Sequence, residues 1–164
     1  MHAKLASLLA GVAMAGCAFS EAEPVGESAA ALAPRIYVSL GDSYSSGVGT
    51  REYYDSGCQK SFHAYAFDVA EQGGYQLEHA ACSGARIPDV RNDQLRALSS
   101  GTTLVTISIG GNDAGFANVV TECAKPWPWS CGGRIDESRS FITRELPRQL
   151  SDLYAEIRRR APPR

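Results

Sequence analysis

Three short polar blocks each stand immediately after an apolar run, and this repeated placement is what most constrains the fold. The blocks are Gly41-Asp42-Ser43-Tyr44-Ser45-Ser46-Gly47, Ala81-Cys82-Ser83-Gly84-Ala85 and Ile109-Gly110-Gly111-Asn112-Asp113. The runs before them are Ile36-Tyr37-Val38-Ser39-Leu40, Tyr75 to Ala80, and Thr103-Leu104-Val105-Thr106-Ile107-Ser108-Ile109. Short, partly β-branched stretches halted by a turn have the character of buried strands. Helical spacing fills the intervals. After Ser61, which can cap a helix, Phe62, Tyr65, Ala66, Val69 and Ala70 recur on one side until Gly73-Gly74 ends the run. Ile87 to Leu98 sets Val90, Leu95 and Leu98 near one helical face. A last helical stretch puts Ile142, Leu146, Leu150, Leu153 and Ile157 on one stripe, with Pro147 kinking it or starting its second half, and Ala161-Pro162-Pro163 closes it. Strands alternating with helices predict an α/β domain with a parallel sheet, whose functional residues gather at the carboxyl ends of the strands. All three blocks then fall on one edge.

The residue types in those blocks suit acyl transfer. A serine at a strand-to-helix turn presents its hydroxyl to a substrate while its own N–H faces the same space. Glycine lets a second backbone come close, and Asn112 supplies an uncharged amide donor for a developing oxyanion. The expected hole has three donors: the N–H groups of Ser43 and Gly84, and the Asn112 side chain. Asp42 and Asp113 are expected to orient their loops through backbone hydrogen bonds rather than to do acid–base work.

These blocks, in this order and each after a strand, resemble blocks one to three of the SGNH (GDSL-type) hydrolases. The wording is especially close to that of the secreted, disulfide-containing bacterial lipases and esterases of the group. The resemblance runs from about Ile36 to the end of the chain. It implies a three-layer, flavodoxin-like parallel sheet, Ser43 as nucleophile, Gly84 and Asn112 in the oxyanion hole, and hydrolysis of carboxylic esters through an acyl-enzyme. Polysaccharide or cell-wall O-deacetylation shares the same blocks, and a non-catalytic ligand-binding remnant is the alternative of another class. The family takes its general base from a histidine near the C-terminus. The three histidines of this chain, His2, His63 and His79, do not match that position. The base is therefore expected to be absent from the chain, the C-terminal part of the domain missing, and the fragment inactive by itself.

Five cysteines bear on location: Cys17, Cys58, Cys82, Cys123 and Cys131. The first residues have the form of an export signal, with His2 and Lys4 before the short apolar run from Leu5 to Ala15. Ala13-Met14-Ala15 offers an ordinary cleavage site before Gly16, whereas Met14-Ala15-Gly16-Cys17 resembles a lipoprotein signal that would acylate Cys17. Setting Cys17 aside leaves four cysteines, among which sequence permits three pairings. A local Cys123–Cys131 bridge around Lys125-Pro126-Trp127-Pro128-Trp129 would leave Cys58 to pair with Cys82. The expected organisation is a signal over residues 1–16, an Ala-, Glu-, Ser- and Pro-rich tether over 17–34, and the hydrolase domain over 35–164.

With 164 residues, 44% of them hydrophobic, the chain has room for one core. A formal charge of -2 and the lack of a basic block ahead of a helix argue against nucleic acid as a partner. Arg158-Arg159-Arg160 sits where a helix end favours cations. No phosphate-cradling glycine signature and no metal-ligand cluster is present, so neither cofactor nor metal is expected. The expected partner is a small-molecule or lipid ester, bound by an exported protein that is monomeric when complete.

Overall fold

The computed structural model describes residues 34–163, so the expected signal, Cys17, His2 and all but the last residue of the tether lie outside the described residues. Three parallel strands, β1 (Ile36–Gly41), β2 (Gln76–His79) and β3 (Thr102–Ser108), form a sheet in the order β2-β1-β3. The strand made first therefore lies in the middle. Its Ser39 stands level with His79 of β2 and Thr106 of β3, and Gly41 with Ser108.

Because side chains alternate along a strand, β1 feeds two apolar clusters, one on each face of the sheet, where the chain length led us to expect a single core. Val38 and Leu40 point to one face and meet Ile87, Val90, Leu95, Leu98, Leu153 and Ile157. These come from α3 (Ile87–Asn92), the 3-10 turn Gln94–Ala97 with the residue after it, and α6 (Leu146–Arg160). Tyr37 points the other way, onto Ala66 and Ala70 of α2 (Tyr65–Gly73). Helices on both faces of an open parallel sheet give the three-layer α/β arrangement, of the SGNH type. Fully burying a side chain such as Leu153, 0% exposed, contributes about 1.5–3 kcal/mol.

Several local expectations are corrected. Ser61 does not cap α2: it is fully buried, and its hydroxyl accepts from the His63 N–H at 3.0 Å. Ala64 is the cap residue instead, with no side-chain bond. His63 accordingly lies in the turn ahead of the helix rather than within it. The last stripe is divided between two helices, α5 (Gly132–Arg144) and α6, which meet at Glu145. Pro147 stands in the first turn of α6, where its missing N–H costs nothing. Of the expected stripe, Leu146, Leu150, Leu153 and Ile157 reach the core, while Ile142 on α5 is 45% exposed. An unanticipated helix, α4 (Phe116–Cys123), precedes α5, and the one-turn α1 (Ser43–Ser46) follows β1.

Both expected disulfides are present. Cys123–Cys131 closes the loop from α4 to α5, and Cys58–Cys82 ties the long loop after α1 to the second polar block. β3 has no partner on its outer side among the described residues.

Candidate active site

The three turns are stitched together at the carboxyl edge of the sheet by backbone and side-chain hydrogen bonds. Cys82 N–H donates to the Gly41 carbonyl at 3.0 Å, and Asp42 N–H to the Ser108 carbonyl at 2.9 Å. Asn112 Nδ2 donates to the Ala85 carbonyl at 2.9 Å. The Asp113 carboxylate accepts from Ile87 N–H, with oxygens at 3.0 and 3.2 Å, and so anchors the third turn to the start of α3.

At the first turn, Gly41 adopts φ +127°, and a Cβ there would collide with the Ser108 carbonyl oxygen, so glycine alone fits. Asp42 caps α1 by accepting from Tyr44 N–H at 3.0 Å, and the Ser108 hydroxyl donates to the same oxygen at 3.4 Å. Asp42 is nearly buried, and loss of water pushes its carboxyl above the usual range, against the pull of these hydrogen bonds. Asp42 thus holds its loop through a backbone hydrogen bond, the arrangement that the sequence led us to expect.

Ser43 is the first residue of α1, and its carbonyl accepts from Gly47 and Val48. Its hydroxyl has no partner among the described residues. The neighbouring serines are committed elsewhere. Ser45 is fully buried, and its hydroxyl meets the Tyr65 hydroxyl at 3.0 Å, which in turn meets Thr106. Ser46 bonds back to the Ser43 carbonyl, and Ser83 donates to Gln59 Oε1 at 2.9 Å. Of the serines in the first two blocks, Ser43 alone has a hydroxyl without a partner among the described residues. Gly84, at φ +82°, has open space where a side chain would stand. Asn112 spends one N–H on Ala85, and its amide nitrogen carries a second.

Both internal histidines are engaged away from Ser43. His63 pairs with Glu52 at 3.0 Å, both side chains exposed. His79 is held at both nitrogens: Nε2 lies 2.8 Å from the Ser45 carbonyl and therefore donates, while Nδ1 accepts from the Tyr54 hydroxyl at 2.8 Å. Burial is the main force lowering its pKa below the ordinary imidazole value; Lys60 adds to it, and the bond to Ser45 opposes. The unfolded chain therefore takes this proton first as pH falls. Stability from neutral His79 is present above about pH 6.5 and declines below it. The thermal midpoint should fall between pH 7 and pH 5, and His79→Gln should flatten that fall. Equal slopes in a paired pH series would show that His79 contributes nothing to it.

A cavity of about 770 Å³ lies on the β2 side of the second turn, lined by Lys60, His79, Gly84, Gln94 and Arg96 among others. It touches Gly84 but not Ser43. Sequence reasoning missed Gln94, whose amide is buried against Gly41, although its spacing with Val90 and Leu98 puts a polar residue on an apolar stripe. Among the described residues there is no group of His, Cys, Asp and Glu side chains that could hold a metal.

An open parallel sheet whose carboxyl edge carries a serine turn, a glycine turn and an asparagine turn defines the SGNH class of α/β fold. The chain belongs to the GDSL-like lipase/acylhydrolase family, whose model matches residues 39–164. It is 48% identical over 144 residues to a lipase of Streptomyces rimosus, covering 84% of this chain and 54% of that one. Among solved structures it is similar to the extracellular lipase of S. rimosus, with a TM-score of 0.72 and 46% identity over 78% of this chain and 56% of that one. It is similar also to phospholipase A1 of Streptomyces albidoflavus NA297, with a TM-score of 0.73 and 41% identity over 79% and 56%. The chain thus spans little more than half the length of these relatives.

Proposed function

We propose that this domain belongs to an exported enzyme that hydrolyses carboxylic esters of lipids, with Ser43 as the nucleophile. The observation that carries the reading is the Ser43 hydroxyl, without a partner among the described residues, on an edge where Ser45, Ser46 and Ser83 are engaged. Ser43 Oγ attacks the ester carbonyl as its proton passes to a histidine from outside the described residues. The N–H groups of Ser43 and Gly84 and the Asn112 amide take the oxyanion. Collapse of the tetrahedral species expels the alcohol, which receives the proton, and water then releases the acid from the acyl-enzyme. Lipid substrates are favoured by the names of the relatives, a lipase and a phospholipase A1. Export is favoured by the two bridges and by the extracellular lipase among them.

The test is fluorophosphonate labelling of the chain carried to the full length of its relatives, followed by peptide mass spectrometry. The adduct is expected on Ser43, and labelling on any other residue overturns the assignment. In the same protein Asn112→Ala should lower turnover by about 10²–10³, the usual cost of losing one oxyanion donor. An unchanged rate removes Asn112 from the hole.

A further inference from the structure

Gln94 holds the backbone just before the nucleophile from a position that no catalytic motif includes. Gln94 is 5% exposed. Gly41 N–H donates to Gln94 Oε1 at 2.7 Å, and Gln94 Nε2 donates to the Gly41 carbonyl at 2.9 Å. The two bonds form a closed, doubly hydrogen-bonded pair between one side-chain amide and one residue's backbone. The regular pairing with β2 stops at Ser39, two residues earlier, and beyond it the chain leaving β2 reaches Gly41 only through the Cys82 N–H, which donates to the Gly41 carbonyl. The glutamine amide supplies the acceptor for the Gly41 N–H and a second donor to its carbonyl. On the opposite side Gly41 is level with Ser108, and the next residue, Asp42, donates to the Ser108 carbonyl. Gly41 has no side chain with which to anchor itself, and its backbone torsion is one that few residues adopt. Both flanks of the turn that starts α1 are therefore fixed, one by β3 and the other by Gln94 together with the Cys82 N–H.

We propose that Gln94 is a positioning residue for Ser43: it sets the direction in which the chain leaves β1, and hence where the nucleophile's hydroxyl and N–H stand. The proposal rests on the reading of Ser43 as nucleophile. Gln94 acts through Gly41, the residue its amide holds. Its loss should therefore appear in kcat and leave KM nearly unchanged, since misplacing the nucleophile weakens the transition state more than it weakens binding.

A glutamate in this place makes the proposal testable through pH. Its neutral acid keeps both bonds, with the O–H donating to the Gly41 carbonyl and the other oxygen accepting from the Gly41 N–H. Its ionised form has no donor and sets an anion against that carbonyl. Burial raises a carboxyl's pKa, so the neutral form persists at mildly acid pH and is lost as pH rises. The sign is fixed: the activity of Gln94→Glu relative to the native protein should fall with increasing pH.

The experiment uses the chain carried to the full length of its relatives. kcat per active site is counted by fluorophosphonate titration, and circular dichroism is recorded at each pH. Gln94→Leu should lower kcat tenfold to a hundredfold with KM within about twofold, the scale expected for lost buried hydrogen bonds. Gln94→Glu should work within about threefold of native at pH 5.5 and lose a further tenfold or more by pH 8, recovering on return to pH 5.5 with an unchanged spectrum. A Gln94→Glu profile that superimposes on the native one overturns the proposal. So does a loss that tracks unfolding in the spectrum, because the glutamine then serves stability alone. If Gln94→Leu fails to fold, the reversible pH titration of Gln94→Glu decides by itself. Failure of the underlying reading is distinguished by the native protein: an adduct on a residue other than Ser43 dismisses the nucleophile, whatever the glutamine variants do.

Discussion

Replacing Ser43 by alanine should abolish ester turnover and fluorophosphonate labelling while leaving the domain folded. In serine hydrolases removal of the nucleophile costs up to about 10⁶ in turnover, because the remaining oxyanion donors act only on whatever attack water can make. The surroundings of Ser43 explain why no neighbour should substitute. Ser45 is sealed behind Tyr65, Ser46 is turned back onto its own helix, and Ser83 is spent on Gln59. Alanine is well tolerated in a helix, and the cap is made by Asp42 rather than by Ser43. The variant should therefore keep its stability within about 0.5 kcal/mol of native, the range of a substitution that breaks no structural contact. Steady-state hydrolysis of a short-chain ester, read beside a melting curve, checks both halves. Turnover within tenfold of native would mean that another group performs the attack.

The second large effect concerns these 164 residues expressed by themselves. Turnover is expected to lie up to about 10⁶-fold below that of a version carried to the relatives' length, since the described residues hold no histidine free to take the Ser43 proton. The same polypeptide should also self-associate. β3 is an edge with Leu104, Val105 and Ile107 only partly covered, and a groove of about 400 Å³ runs between it and the end of α6. Unpaired N–H and carbonyl groups along such a strand are a template for another chain. Sedimentation and ester hydrolysis of the two versions, side by side, decide the matter. A monomeric short version with Ser43-dependent turnover near that of the long one would refute both expectations, and would bring His63 and His79 back as bases.

Much of this architecture was legible because the strands carry their own punctuation. Tyr37 and Val38 alternate between two cores, and each apolar run stops at a polar or glycine-bearing block, so strand ends could be placed within about one residue. The disulfides were legible because four cysteines remained and one pair enclosed a short loop. What escaped depends on tertiary surroundings. Ser61 has the local pattern of a helix cap, but burial turns its hydroxyl to His63 instead. α4 does carry Phe116, Val119, Val120 and Cys123 at helical spacing, yet Phe116 and Val120 stay at least half exposed, so the stripe signals a helix without signalling a core. His79 and Gln94 could be seen as polar residues near apolar ones. Their purpose became evident only once Ser45 and Gly41 were found at the other ends of their bonds.

The central placement of β1 sets the order in which the domain can assemble. A ribosome delivers this strand before either neighbour, and Tyr37 must wait for Thr106, sixty-nine residues further on, before its hydroxyl finds a partner. Pairings of such sequence separation form late and slowly, because the intervening chain must be closed into a loop before any contact rewards it. The emerging polypeptide has no early stable nucleus built on its first strand. If the domain is exported as proposed, a chain that stays open in this way suits a translocation pore, which admits unfolded polypeptide.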